Sequence, residues 1–191
     1  QGVVALAIAF ISVVAMITTM MIEKSRTHAA WRRQADCDDL TGALNRRAFF
    51  ERAAALLSGA DGHQIAMLDF DHFKQLNDRH GHRSGDAALS AGIGRVLALL
   101  DGHGMVGRLG GEEFAVVWPG AGPAPERLRA ALSQAASAAC GVSATASMGA
   151  TRHHPGETLE TALHRADQAL YEAKAAGRDR CVEAPQPTRA S

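Results

Sequence analysis

The longest apolar run opens the chain. Val3 to Ile22 (VVALAIAFISVVAMITTMMI) holds twenty residues without a charge, and its polar side chains, Ser12, Thr18 and Thr19, can hydrogen-bond back to a helix. At about 1.5 Å per residue such a helix crosses a hydrocarbon core of about 30 Å. The run predicts a transmembrane helix over 3–22. A signal peptide would have a shorter apolar stretch, a basic start and a small-residue cleavage site. Lys24, Arg26, Arg32 and Arg33 follow, against the single acid Glu23 before Asp36. Basic flanks stay on the cytoplasmic side, so the rest of the chain is expected in the cytosol. Residues 23–35 contain no Pro or Gly and predict a helical juxtamembrane linker. The chain begins with Gln1 and is read as part of a longer protein.

Beyond the linker the pattern becomes mixed. Ala43–Leu57 reads as an amphipathic helix, with Leu44, Ala48, Phe49, Leu56 and Leu57 on or near one face. Ser58–Gly62 is a breaker. Ile65–Leu68 is a short continuous apolar run, the mark of a buried central strand, and it ends in Asp69 and Asp71. A polar loop, HFKQLNDRHGHRSGD, follows, and Asp86 is placed to cap a helix over AALSAGIGRVLALL. Met105–Leu109 and Phe114–Trp118 flank Gly110-Gly111-Glu112-Glu113 and predict a hairpin. Pro125–Ala139 predicts a helix and Val142–Ala150 a strand. Thr158–Ala175 predicts a helix with Gly177 just past its end, and Arg180–Glu183 a last strand. Residues 184–191 (APQPTRAS) read as a disordered tail. This alternation predicts an α/β domain over 36–183, a sheet covered by helices and large enough for one core.

Composition narrows the functional classes. Lys+Arg 20 balance Asp+Glu 20, which argues against a nucleic-acid binder that works by neutralising phosphates. At 47% hydrophobic and 21% charged, the chain is not a disordered one. Cys37, Cys140 and Cys181 are odd in number and contain no CxxC pair, so neither a disulfide framework nor a zinc ribbon is expected. His80-Gly81-His82 and His153-His154 lack zinc-ligand spacing.

The chemistry-bearing residues are few. Asp69 ends a buried strand, where a carboxylate must be paired, protonated or bound to a metal. Glu112 and Glu113 form a second acidic pair. If the hairpin lies beside the Asp69 strand, three carboxylates converge, a hard oxygen set suited to Mg²⁺. The glycines Gly110 and Gly111 would then leave room for a substrate; an ordinary acidic turn is the other reading. Lys74 lies five residues past Asp69. Lys174 and Arg178, at i and i+4 around a helix end, can face one polyphosphate or simply favour the helix dipole. Asn77 and Asp86 can read a guanine edge, or serve as turn and cap.

Together these strings resemble the GGDEF family of diguanylate cyclases. The matching segments are DDLTGALNRRAF at 38–49, DFDHFKQLNDRHGHRSGDAAL at 69–89, RLGGEEF at 108–114, SMGA at 147–150 and ADQALYEAKAAGRDR at 166–180. The resemblance implies a GGDEF fold, a central and mostly antiparallel sheet flanked by helices, similar to the polymerase palm and class III nucleotidyl cyclases. It implies condensation of two GTP into cyclic di-GMP with release of two pyrophosphates by a homodimer. Metal ions, two Mg²⁺ per site with Mn²⁺ as a substitute, would bind Asp69, Glu112 and the Phe70 carbonyl. Backbone amides near His72 and Phe73 would hold the terminal phosphates, with Lys74, Lys174 and Arg178 neutralising them. Asn77 and Asp86 would bind guanine. Glu113, or Glu112, would help deprotonate the 3′-hydroxyl. With the apolar run at 3–22, the expected location is the inner membrane of a bacterium, with the catalytic domain cytoplasmic.

Two departures matter. Many members carry RxxD ahead of the signature, where product binds and inhibits; here the positions hold Asp101 and Gly104. The signature reads GGEEF, which keeps the acidic chemistry. The alternative reading is a catalytically silent GTP-binding or interaction module, and the retained acids argue against it.

Overall fold

The computed structural model describes residues 16, 18, 20, 21, 36–58 and 62–185. The chain divides into two compact units, Gln1–Asp36 and Cys37–Ser191. In the first, Met16, Thr18, Met20 and Met21 are helical. The rest of the span expected at 3–22, and the linker at 23–35, lie outside the described residues. Among the described residues, no helix is long and apolar enough to cross a membrane. Of the tail, residues beyond Pro185 also lie outside them.

The second unit begins with a two-residue strand, β1 (Leu44–Asn45), and helix α1 (Arg46–Leu57). The helix expected from Ala43 therefore starts three residues later. Leu44 and Asn45 pair in parallel with Gly107 and Arg108, and the Asn45 side chain caps the helix by accepting from the Ala48 N–H at 2.9 Å. Strand β2 (Gln64–Phe70) follows. The stretch expected as a loop after it folds as two helices, α2 (Phe73–His80) and α3 (His82–Leu100), joined at Gly81. Gly81 has φ +82°, a left-handed conformation that suits glycine. Asp86 thus lies inside α3 and is not its cap. The hairpin is β3 (Met105–Gly110) and β4 (Glu113–Trp118). Helix α4 (Pro125–Cys140), strand β5 (Ala146–Arg152), helix α5 (Leu159–Ala175) and strand β6 (Cys181–Glu183) complete the unit. Strand β5 starts later than expected, since residues 142–145 run in as a loop.

The six strands form one sheet in the order β1-β3-β4-β2-β5-β6. The inner pairings are antiparallel and the two edge pairings parallel, so the sheet is mixed. Its central strand, β2, is covered on both faces, which is why it reads as a continuous apolar run. Alternation sorts the side chains. Ala66, Leu68 and Phe70 join Phe114, Val116, Trp118 and Met148 under Leu89, Ile93, Leu128 and Leu132 of α3 and α4. Ile65 joins Ala115 and Val117 under Phe49 and Ala53 of α1 and Leu159 and Ala162 of α5. Asp69, two and four residues on from Met67 and Ile65, belongs to this second face.

Helix α5 is N-capped by Thr158, whose Oγ1 accepts from the Thr161 N–H. It rests on the backbone of β5. A Cβ on Gly149 would stand 2.1 Å from both the Ala166 carbonyl oxygen and the Leu170 nitrogen. Only glycine permits that approach.

Candidate nucleotide and metal site

The site residues gather where β2 ends. In the antiparallel ladder Asp69 lies opposite Glu113 on one side and Ser147 on the other. Asp69 is 9% exposed. Burial pushes its carboxyl above the ordinary value; the Lys174 ammonium opposes that shift, and the Glu112 and Glu113 carboxylates add to it. Lys174, in the last turn of α5, puts its Nζ 2.9 Å from Asp69 Oδ1. The approach of α5 to the sheet at Gly149 makes this reach possible.

The hairpin turn folds over the same point. The ladder slips between Arg108 and Gly110, and Gly110 pairs with Glu113. The Phe70 N–H donates to the Glu112 carbonyl at 3.4 Å. Space above Gly111 is open, with nothing within 4 Å of a Cβ there. Arg108 fixes the turn. Its Nε and Nη2 donate to the Gly111 carbonyl at 3.0 and 2.8 Å, and its Nη1 lies 2.9 Å from both oxygens of Asp38. Asp38 also accepts from the Thr41 N–H and hydroxyl. Burial alone would raise the Asp38 pKa, but the bonds from Thr41 and Arg108 outweigh it and hold the carboxyl below its usual range. Sequence reading missed this tie between the DDLTG and GGEE segments. The Asp38-x-x-Thr41 spacing was the available signal.

The turn after β2 supplies backbone donors. His72 adopts a left-handed conformation at φ 53° and gives α2 no side-chain cap, so the first-turn N–H groups have no side-chain acceptor. Such a helix start favours anions. Lys74 is exposed on α2. Asn77, on the same flank, has a buried Oδ1 without a hydrogen-bond partner. It faces Gly85, where a Cβ would stand 2.0 Å from that oxygen. Asp86 follows directly and is exposed. The opposite flank of α2 carries Gln75, Leu76, Arg79 and His80, which line a groove of about 370 Å³ together with Phe70–Phe73 and Val142–Thr145.

Lys174 and Arg178 lie on either side of a helix end, as their spacing suggested. Helix α5 ends at Ala175, the chain turns through Gly177 at φ +112°, and Arg178 sits beyond it at φ 63°. The Arg178 N–H still bonds back to the Ala173 carbonyl at 3.0 Å, which keeps it beside the helix end.

The acids do not form a ready cage. Among the described residues, no three His, Cys, Asp or Glu side chains converge in a way that could hold a metal ion, so the expected convergence of Asp69, Glu112 and Glu113 is only electrostatic. The donor set still fits a hard divalent cation. A buried carboxylate with two more acids near it carries excess negative charge, and Mg²⁺ commonly takes one or two carboxylates and completes its shell with water and substrate phosphates.

The family model for the diguanylate cyclase GGDEF domain matches residues 35–180. The chain is 41% identical over 165 residues to the diguanylate cyclase DgcP of Pseudomonas aeruginosa, covering 78% of this chain and 24% of that protein. The chain spans less than half the length of the curated relatives it matches first. It superposes with a TM-score of 0.71 and 31% identity on the coiled coil and GGDEF domain of DgcB from Caulobacter crescentus in complex with c-di-GMP, covering 87% of this chain and 95% of that one. The active GGEEF domain of a diguanylate cyclase from Vibrio cholerae gives 0.65 and 28%, covering 75% and 98%. With the mixed sheet, the strand-end acid and the hairpin signature in their places, the chain belongs to the GGDEF domain family of diguanylate cyclases.

Proposed function

We propose that this chain condenses two GTP molecules into cyclic di-GMP and two pyrophosphates. The observation that carries the reading is the buried Asp69 at the end of β2, paired with Lys174, opposite Glu113 in the ladder and within electrostatic reach of Glu112, beside open space at Gly111. The named activity of relatives with this signature supports it, including a domain that keeps the GGEEF form.

Each domain binds one GTP. Asn77 and Asp86 receive the guanine, and the α2 amides after His72 and Phe73 receive the β- and γ-phosphates. Lys74, Lys174 and Arg178 balance phosphate charge. Asp69, Glu112 and the Phe70 carbonyl would hold Mg²⁺, or Mn²⁺ in its place, which supplies charge neutralisation and a more acidic 3′-hydroxyl. The 3′-oxygen of one GTP attacks the α-phosphorus of the other. The new P–O bond forms as the bond to the β-phosphate bridge breaks, and pyrophosphate leaves with that electron pair. Glu113 or Glu112 takes the hydroxyl proton. Two such steps require two domains facing one another, so the active form is a homodimer.

Residues 3–22 are proposed as a membrane anchor, residues 23–35 as the linker that sets domain spacing, and residues 36–183 as the cytoplasmic catalytic domain. Product inhibition through RxxD is proposed to be absent. Asp101 and Gly104 occupy those positions, and a Cβ on Gly104 would stand 2.9 Å from both the Trp118 Cβ and the Val117 carbonyl oxygen, leaving no room for an acidic side chain.

The test is conversion of GTP with Mg²⁺ by the purified full chain in detergent, beside a Glu112→Ala/Glu113→Ala variant, with nucleotides separated by chromatography. Cyclic di-GMP from the wild type alone is expected. GTP binding without product, in a protein shown to be dimeric, would overturn the cyclase reading in favour of a silent GTP-binding module. A progress curve that stalls at low product with pyrophosphate removed would overturn the loss of inhibition.

A further inference from the structure

The strand-end motif Asp69-Phe70-Asp71 carries two aspartates, and the mechanism uses one. The second, Asp71, is buried and already saturated with donors. Its Oδ1 accepts from the Ser147 hydroxyl at 2.7 Å, and its Oδ2 from the Thr145 hydroxyl at 2.8 Å and the Asp179 N–H at 3.1 Å. It therefore has little left to offer a metal. The bond to Asp179 joins it to the loop after α5.

That loop holds two successive non-glycine residues, Arg178 and Asp179, in the left-handed region, at φ 63° and 46°. Residues with a Cβ stay there only when their surroundings hold them. The hold comes from below. The Asp179 carboxylate accepts from Nη1 of Arg129, whose side chain is 9% exposed. The Arg129 Nε and Nη2 donate to Glu126 at 2.6–3.0 Å, and Nη1 itself also reaches the Ser133 hydroxyl at 3.3 Å and the Ala146 carbonyl at 3.4 Å. Glu126 in turn accepts from the Cys181 N–H at 3.0 Å, on the far side of the loop. The loop is thus clamped to α4 and β5 at both ends of Asp179-Arg180.

We propose that Asp71, Arg129 and Asp179 form a positioning lock, in which the Asp71 carboxylate ties the amide turn at His72-Phe73 to the Arg178 loop so that both address the same phosphates. This rests on the GTP-cyclase reading. Asp71 directly precedes the residues whose amides would meet the phosphates, and it bonds the N–H that directly follows Arg178. One carboxylate therefore sets the distance between the two halves of the clamp. Arg129 keeps the loop from relaxing into an ordinary conformation that would turn Arg178 elsewhere.

The test uses the full chain and three probes: a non-cyclising GTP analogue, inorganic pyrophosphate and guanosine. Binding of each is measured with Mg²⁺ for the wild type, Asp179→Ala, Asp179→Asn and Asp71→Asn. Asp179 is mostly exposed, so its variants should fold; thermal melting checks this. Asp179→Ala is expected to weaken the analogue and pyrophosphate about tenfold, the loss of one charge-assisted hydrogen bond. Guanosine binding should not change, and Asp179→Asn, whose carbonyl can still accept from Arg129, should recover most of the loss. Equal weakening of all three probes, or wild-type affinities in Asp179→Ala, would overturn the lock while leaving the cyclase reading intact. A wild type that binds neither the analogue nor pyrophosphate would overturn both. Asp71→Asn gives a second reading of the same split: if it folds and binds pyrophosphate like the wild type, the lock fails.

Discussion

Lys174 Nζ lies 2.9 Å from Asp69 Oδ1, so the carboxylate assigned to the metal is paired with a cation assigned to the phosphates. On the proposed cyclase reading the pair would act as a placeholder: a divalent ion held by Asp69 would leave Lys174 free to meet phosphate.

This pairing does not fully offset the burial of Asp69, whose pKa stays above its ordinary value of 3.8. A raised carboxyl pKa means that the folded state binds the proton more tightly. Its contribution is favourable below about pH 4 and is lost as pH rises through the folded value. Without divalent cations, Asp69→Asn is therefore expected to melt higher than the wild type at pH 7, by about 2 °C. The gap should close toward pH 4. Cyclase activity should vanish in the same variant. A lower melting temperature at pH 7 would contradict the sign.

Arg108 ties the signature turn to Asp38, and removing it should cost both stability and rate. Arg108→Ala loses charge-assisted bonds to Asp38 and Gly111, an expected cost of about 2 kcal/mol by denaturant titration. Asp38 has a lowered pKa, so its contribution is present above the unfolded value and is lost as pH falls through the folded one. The wild-type advantage over Arg108→Ala should thus shrink below about pH 4. An unchanged gap would show that the Asp38 bond does not carry it.

Gly85 sets the room available to Asn77. In Gly85→Ala the new Cβ would stand 2.0 Å from Asn77 Oδ1 and 3.0 Å from the Phe73 ring. The carboxamide must rotate away. The expected result is a rise of about tenfold in KM for GTP, with weaker discrimination against ATP. A GTP KM within twofold of wild type would separate Asn77 from base recognition.

The three thiols should react in a fixed order. Cys37 is exposed, whereas burial, with Glu126 and Glu183 nearby, pushes the Cys181 thiol up to about 12. Only the thiolate is nucleophilic. Maleimide labelling at pH 8 followed by peptide mass analysis should find Cys37 modified first and Cys181 spared in the folded protein. Early labelling of Cys181 would show that the β6 edge opens.

Much of this was legible in the amino acids. The run Ile65–Leu68 ending in Asp69 announced a central strand with a costly carboxylate, and Gly110-Gly111 announced the hairpin. The helices after β2 were not legible. Helix α2 buries only Phe73, so no apolar stripe betrayed it, and Gly81 looked like one loop glycine among others. Asp86 reads as a cap in sequence because the two-helix corner at Gly81, which starts the helix at His82, has no local pattern. The helix end before Gly177 was legible, but the left-handed turn at Arg178 and Asp179 was not, because tertiary bonds made by Asp179 hold it. The ties from Arg108 to Asp38 and from Arg129 to Asp179 span 70 and 50 positions, and only the Asp38-x-x-Thr41 turn at one end of the first leaves a local pattern.

At Gly149, helix α5 touches the strand backbone itself, with no side chain between. The height of Lys174 above Asp69 is therefore fixed by main-chain contact, like a shelf resting directly on its bracket. Exchanges of aliphatic residues in either core layer change how firmly the domain holds together, yet have little leverage on that height. The Lys174–Asp69 pair is thus insulated from drift in the core, and its calibration is concentrated in one position that cannot accept even a methyl group.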